Sequence, residues 1–119
     1  MLVTMLKTKI HAATVTEANL EYEGSIKIDE ALLKAGNILP YERVEVYNIT
    51  NGQRFATYVI KGKENSGVIG LNGAAARLVY PGDSVIIIAY GQYAEKELKD
   101  YRPCILLVDE KNVVKKRLP

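Results

Sequence analysis

At 119 residues and 13.2 kDa the chain has room for a single hydrophobic core, and 48% apolar with 25% charged residues is ordinary globular composition. A net charge of +2 is too weak to argue for a nucleic-acid surface. One cysteine and one histidine exclude an internal disulfide framework, a thiolate metal cluster and an imidazole pair.

In chain order, the residues predict many short strands and little helix. Leu6 to Val15 alternates, with Lys7, Lys9, His11, Ala13 and Val15 on one face and Leu6, Thr8, Ile10, Ala12 and Thr14 on the other. Glu23-Gly24-Ser25 signals a turn before the alternating Ile26-Lys27-Ile28. Asp29 is placed to cap a short helix through Ala31–Ala35, which Gly36-Asn37 stops and Pro40 forbids to continue. Val44–Thr50 and Gln53–Ile60 read as strands joined by a tight Asn51-Gly52 turn, since both residues tolerate positive φ.

Asn72 to Val79 predicts a capped helix of one or two turns. Pro81-Gly82-Asp83 turns into the apolar strand Val85–Tyr90. Ala94 to Tyr101 is charged and predicts a short exposed helix, Cys104–Val108 a buried strand, and Asp109–Asn112 a turn. The basic run Lys115-Lys116-Arg117 reads as a solvated end. No repeat or linker interrupts residues 1–119, so one mainly β domain is expected, closed into a small barrel with short helices.

The expected compartment is the cytoplasm. Met1 to Lys7 lacks a secretory apolar core, Ser84–Tyr90 is too short to span a bilayer, and a lone Cys104 suits a reducing environment. Asn48-Ile49-Thr50 matches a glycosylation triplet, by chance on that reading.

Single residues leave the chemistry open. Lys9 and His11 share a strand face about 6–7 Å apart, which suits a partly exposed polar face as well as a site. Arg54 and Tyr58 share strand parity about 13 Å apart, with Thr57 pointing the other way; only the reach of arginine would bring both to one ligand. Asn72-Gly73-Ala74-Ala75 offers backbone N–H groups at a helix start, as every helix does. Most Gly-Ser pairs are turns. At Gly24-Ser25, however, the hydroxyl can attack the preceding carbonyl, and Gly24 has no Cβ in the way, provided an oxyanion stabiliser and a strained turn are present.

Four segments in register carry more than any of these alone. Lys9-Ile10-His11, Tyr22 to Asp29, Asn48 to Tyr58 and Leu71 to Ala76 together resemble the pyruvoyl-dependent aspartate 1-decarboxylase family, from about Met5 to Asp109. The resemblance implies a six-stranded double-psi β-barrel, a homotetramer with active sites between subunits, and self-cleavage between Gly24 and Ser25. A β chain of residues 1–24 and an α chain of residues 25–119 would result. Ser25 would become a pyruvoyl group that forms a Schiff base with L-aspartate, with Thr57 stabilising the oxyanion during processing and Tyr22 lying just before the cut. Tyr58 would donate the proton. Lys9, His11, Arg54, Thr57, Asn72, Gly73, Ala74 and Ala75 would bind substrate, and the product would be β-alanine for pantothenate synthesis.

A departure from the family pattern is Ala12, where members often carry Arg after the histidine. The resemblance implies neither metal nor pyridoxal phosphate; the expected partner is L-aspartate, with no nucleic acid and no membrane, and no residue pattern identifies a maturation factor. Decarboxylation of an amino acid leaves charge on carbon, and one proton donor supplies only about 10²–10⁴-fold of the needed acceleration. A carbonyl made from Ser25 would supply the missing electron sink. The competing readings are a non-enzymatic small barrel and a Schiff base on Lys9, the latter suited to carbonyl substrates rather than amino acids.

Overall fold

The computed structural model describes residues 1–119. Its strands are β1 (Leu2–Thr14), β2 (Glu17–Asn19), β3 (Ser25–Asp29), β4 (Arg43–Asn48), β5 (Arg54–Gly62), β6 (Ile69–Asn72), β7 (Ser84–Ala94), β8 (Cys104–Val108) and β9 (Val114–Leu118). One α-helix, α1 (Glu30–Gly36), and two 3₁₀ turns, Gly73–Leu78 and Glu95–Glu97, complete the chain. The mainly β class with short helices holds. The strands pair in the order β2-β6-β3-β5-β4-β7-β1-β8-β9, with parallel pairs at β1–β8, β2–β6 and β3–β5. No further pairing joins β2 to β9, and nine strands stand where six were expected.

The sheet curls around one cluster of 19 buried residues, drawn from both halves of the order: Ile10, Ile26, Val46, Val59, Leu71, Ile87 and Leu106 are all fully buried. Each such side chain contributes about 1.5–3 kcal/mol. The four ion pairs are partly exposed and contribute about 0–1 kcal/mol each, so the core holds the fold.

The alternation in β1 breaks where the sequence hides it. Ala12 takes φ +62°, and the β1–β7 register shifts between Ile10 and Ala13. This bulge moves Ala13 and Val15 to the buried side with Thr8 and Ile10, correcting the expected faces. Lys9 and His11, ahead of the bulge, keep their shared half-buried face.

α1 forms as its caps dictate. Asp29 Oδ1 accepts from Ala31 N (2.8 Å), and Asn37 ends the helix in the left-handed region at φ +54°. Asp29 also accepts from Asn65 N and Gly67 N, each at 2.8 Å, tying the β5–β6 connection to the helix start.

Three other expectations need correction. The β4–β5 turn is a five-residue loop, not a tight Asn51-Gly52 hairpin: Asn48 Oδ1 accepts from Thr50 N and Asn51 N, so the chain bends early and only Gly52 takes positive φ. The helix expected over Ala94–Tyr101 shrinks to Glu95–Glu97, because Leu2–Leu6 of β1 draws Tyr90–Ala94 into a long β7. The basic tail pairs with β8 as an edge strand while Lys115, Lys116 and Arg117 stay exposed. Cations there discourage edge-to-edge association.

Asp29→Ala removes the two carboxylate oxygens that accept from three backbone N–H groups and should lower the unfolding free energy by about 2–4 kcal/mol in a urea titration. A loss below about 1 kcal/mol would mean that water replaces the carboxylate.

Candidate active site

The approach to β3 is shaped by glycine. Gly73 takes φ +64°, and a Cβ there would lie 2.7 Å from Gly24 Cα and N and 2.8 Å from the Tyr22 carbonyl oxygen. Only a residue without a side chain fits, so the Tyr22–Gly24 segment rests bare against the start of the 3₁₀ turn. Ser25 then enters β3 opposite Asn72 of β6, in antiparallel register. Both are 2% exposed. Asn72 Nδ2 donates to Ser25 Oγ at 3.0 Å, and the Ser25 hydroxyl donates weakly to the Glu23 carbonyl at 3.4 Å.

A cavity of about 230 Å³ opens beside this segment, lined by Gly24, Phe55, Ala56, Thr57, Ala74, Ala75 and Leu78. Of the residues singled out from the sequence, the fold thus gathers Gly24, Thr57, Ala74 and Ala75 on one cavity; Ser25 and Gly73 are their neighbours in the chain, and Asn72 pairs with Ser25. Tyr22 is exposed just before it.

Lys9, His11, Arg54 and Tyr58 do not line that cavity. Strand parity separates Arg54 and Tyr58 from the inward Phe55 and Thr57, as the sequence predicts. The Arg54 guanidinium lies over the Tyr47 ring at 4.1 Å and borders a second cavity of about 280 Å³ with Tyr47, Gln53 and Ile86. Tyr58 stacks on Tyr41. Lys9 pairs with Ile88 and Ile105 on neighbouring strands, and His11 with Leu107. The His11 Nδ1 atom is buried without a hydrogen-bond partner. Neither Lys9 nor Arg54 forms an ion pair, so two cations remain available for carboxylates.

Sequence reasoning missed Tyr47, Asn48 and Leu78. Tyr47 Oη donates to Glu45 Oε1 at 3.2 Å, and its phenol is pushed up to about 12, first by hydrogen bonding with Tyr90 and then by burial. Asn48 Nδ2 donates to the Leu78 carbonyl (3.2 Å) and to Asp83 Oδ2 (2.8 Å), fixing the end of the 3₁₀ turn against the β4–β5 loop. The missed signal was an Asn at the end of a strand, a residue suited to side-chain turns.

A buried serine hydroxyl held by an asparagine amide, next to a bare glycine contact and a small cavity, is the candidate site of this mainly β fold. The chain belongs to the aspartate decarboxylase family, whose model matches residues 1–115, and it is an enzyme of the carboxy-lyase class. It is 60% identical over 116 residues to an aspartate 1-decarboxylase of Carboxydothermus hydrogenoformans, covering 98% of this chain and 91% of the relative. It is 57% identical over 114 residues to one of Acetivibrio thermocellus, covering 96% and 90%. The crystal structure of the computationally designed msDPBB_sym2 protein aligns with 75% of this chain and 99% of its own, at 18% identity and TM-score 0.45.

The raised Tyr47 phenol has a pH consequence. The unfolded chain ionises this group near 10 and the folded chain near 12, so its contribution to stability is complete below pH 10 and is lost between pH 10 and 12. In an alkaline titration of phenolate absorbance, Tyr47→Phe should remove one late-titrating group. An unchanged late phase would contradict the raised Tyr47 phenol.

Proposed function

We propose that the chain decarboxylates L-aspartate to β-alanine and carbon dioxide, with a pyruvoyl group made by its own cleavage between Gly24 and Ser25. The observation that carries this reading is the buried Ser25 hydroxyl, held by Asn72 at 3.0 Å where Gly24 packs bare against Gly73. The surroundings suit the group: a compact cavity of about 230 Å³ adjoins it.

In processing, Ser25 Oγ attacks the Gly24 carbonyl carbon. The C–N bond breaks as the C–O bond forms, and the hydroxyl proton passes to the Ser25 nitrogen. Loss of the Ser25 Cα proton then breaks the ester at Cβ–Oγ, releasing residues 1–24 as a carboxylate and leaving dehydroalanine at position 25. Water converts its enamine to the ketone and frees ammonia. Thr57, on the same cavity as Gly24, is the donor we assign to the oxyanion. Asn72 holds the attacking oxygen in place.

When formed, the pyruvoyl group supplies a ketone that takes the substrate amine and accepts the electrons released with carbon dioxide. The chain's own side chains do the rest. Arg54 and Lys9, without carboxylate partners, bind the substrate carboxylates, and His11 lines the site. Asn72 and the Gly73-Ala74-Ala75 backbone fix the substrate and the residue-25 end. Tyr58 delivers a proton to the substrate carbon after carbon dioxide leaves.

Lys9, His11, Arg54 and Tyr58 stand outside the Gly24 cavity in a single chain. On the family resemblance we place the working site between copies in a homotetramer, one supplying the residue-25 end and another the cations. We place the protein in the cytoplasm, consistent with one unpaired, half-buried Cys104; no helix is long and apolar enough to cross a membrane.

Two substitutions test the proposal. Ser25→Ala should leave the chain uncut and form no β-alanine; β-alanine formation by that variant would require a different electron sink. Tyr58→Phe should cleave normally yet turn over about 10²–10⁴-fold more slowly. Turnover within threefold of the parent would remove Tyr58 as donor.

A further inference from the structure

Leu39-Pro40-Tyr41-Glu42 forms a turn in which Glu42 N donates to the Leu39 carbonyl at 3.1 Å. Proline stands at the second position, and the third, Tyr41, takes φ +70°. A turn with Pro followed by positive φ favours Gly or Asn at that third place. A bulky aromatic residue there is an outlier held against steric preference. Burial does not explain it, because Tyr41 is 79% exposed.

What the Tyr41 ring does touch is Tyr58. Their centroids are 6.4 Å apart with the planes at 27°, within the range of offset stacking. The turn is also anchored beside Tyr58. Tyr41 N donates to the Val59 carbonyl at 2.7 Å, and Val59 N donates to the Glu42 carbonyl at 3.1 Å. The Glu42 carboxylate accepts from Leu39 N and from Lys7 Nζ, each at 3.0 Å. Tyr41 therefore projects from a braced turn onto a phenol ring that β5 leaves partly exposed.

We propose that Tyr41 is a positioning residue for Tyr58: it covers one face of the ring and limits where the phenol oxygen can sit. The inference rests on the reading of Tyr58 as proton donor. A donor must hold its oxygen near the reacting carbon, and a freely rotating exposed ring holds it there only part of the time. The strained backbone at position 41 is the cost of putting an aromatic ring where a glycine would sit comfortably.

The test uses the self-cleaved full-length protein with Tyr41→Gly, Tyr41→Phe, Tyr58→Phe and the Tyr41→Gly/Tyr58→Phe double variant. Tyr41→Gly should cleave fully and resist urea at least as well as the parent, since glycine relieves the positive φ. Its kcat should fall about 2- to 10-fold with KM nearly unchanged. Tyr41→Phe, which keeps the ring, should retain the parent kcat. In the Tyr58→Phe background Tyr41→Gly should cost nothing further. Unchanged kcat in Tyr41→Gly, failure of Tyr41→Phe to retain it, or an additive loss in the double variant would overturn the positioning role while leaving the donor intact. Full turnover by Tyr58→Phe would instead overturn the donor assignment and, with it, this inference.

Discussion

Gly73 meets the backbone of Tyr22 and Gly24 so closely that any Cβ would overlap it, and this contact sets the geometry of everything around Ser25. Because Gly73 turns at positive φ, the 3₁₀ turn leaves β6 directly over the segment that precedes β3. Asn72, the last residue of β6, is thereby brought opposite Ser25 with its amide on the hydroxyl. The same turn carries Ala74 and Ala75 to the cavity that Thr57 reaches from β5. An alanine at position 73 would add both an unfavourable φ and a steric overlap, and the segment carrying Gly24 would have to move.

The rest of the fold holds this contact from outside. Asn48 and Asp83 lock the end of the 3₁₀ turn through the Leu78 carbonyl and Tyr80 N. Asp29 closes β3 at its far end by accepting three backbone N–H groups. Buried carboxylates and amides with satisfied partners give the core directional restraint that apolar packing alone does not supply. Between these two networks, β3 and the 3₁₀ turn have little freedom to drift, which suits the proposed attack of Ser25 Oγ on the Gly24 carbonyl carbon, four bonds away along the chain.

Much of this could be read from the residues. Asp29 and Asn37 bound α1 because capping is local chemistry, and Ile26-Lys27-Ile28 and Val85–Tyr90 declare strands by composition. What was hidden depends on distant partners. The Ala12 bulge follows from register against β7, β9 exists because β8 offers an edge, and β2 needs β6 beside it. In the site, the four family-like segments located Gly24, Ser25, Thr57 and Asn72, whereas the fit of Gly73 against Gly24 is a tertiary contact. Tyr41 could have been flagged by the Pro40-Tyr41 pair at a turn; its ring contact with Tyr58 could not. One histidine and one cysteine are little ordinary catalytic equipment. On the proposed reading the electron sink is latent in an ordinary serine, where composition does not register it.

The most direct test of the central claim is the mass of the purified protein under denaturing conditions, with analysis of its terminal residues. The account predicts two chains, residues 1–24 ending in a free Gly24 carboxylate and residues 25–119 with an amino terminus blocked to sequential degradation. A single intact chain that nonetheless forms β-alanine from aspartate would contradict it.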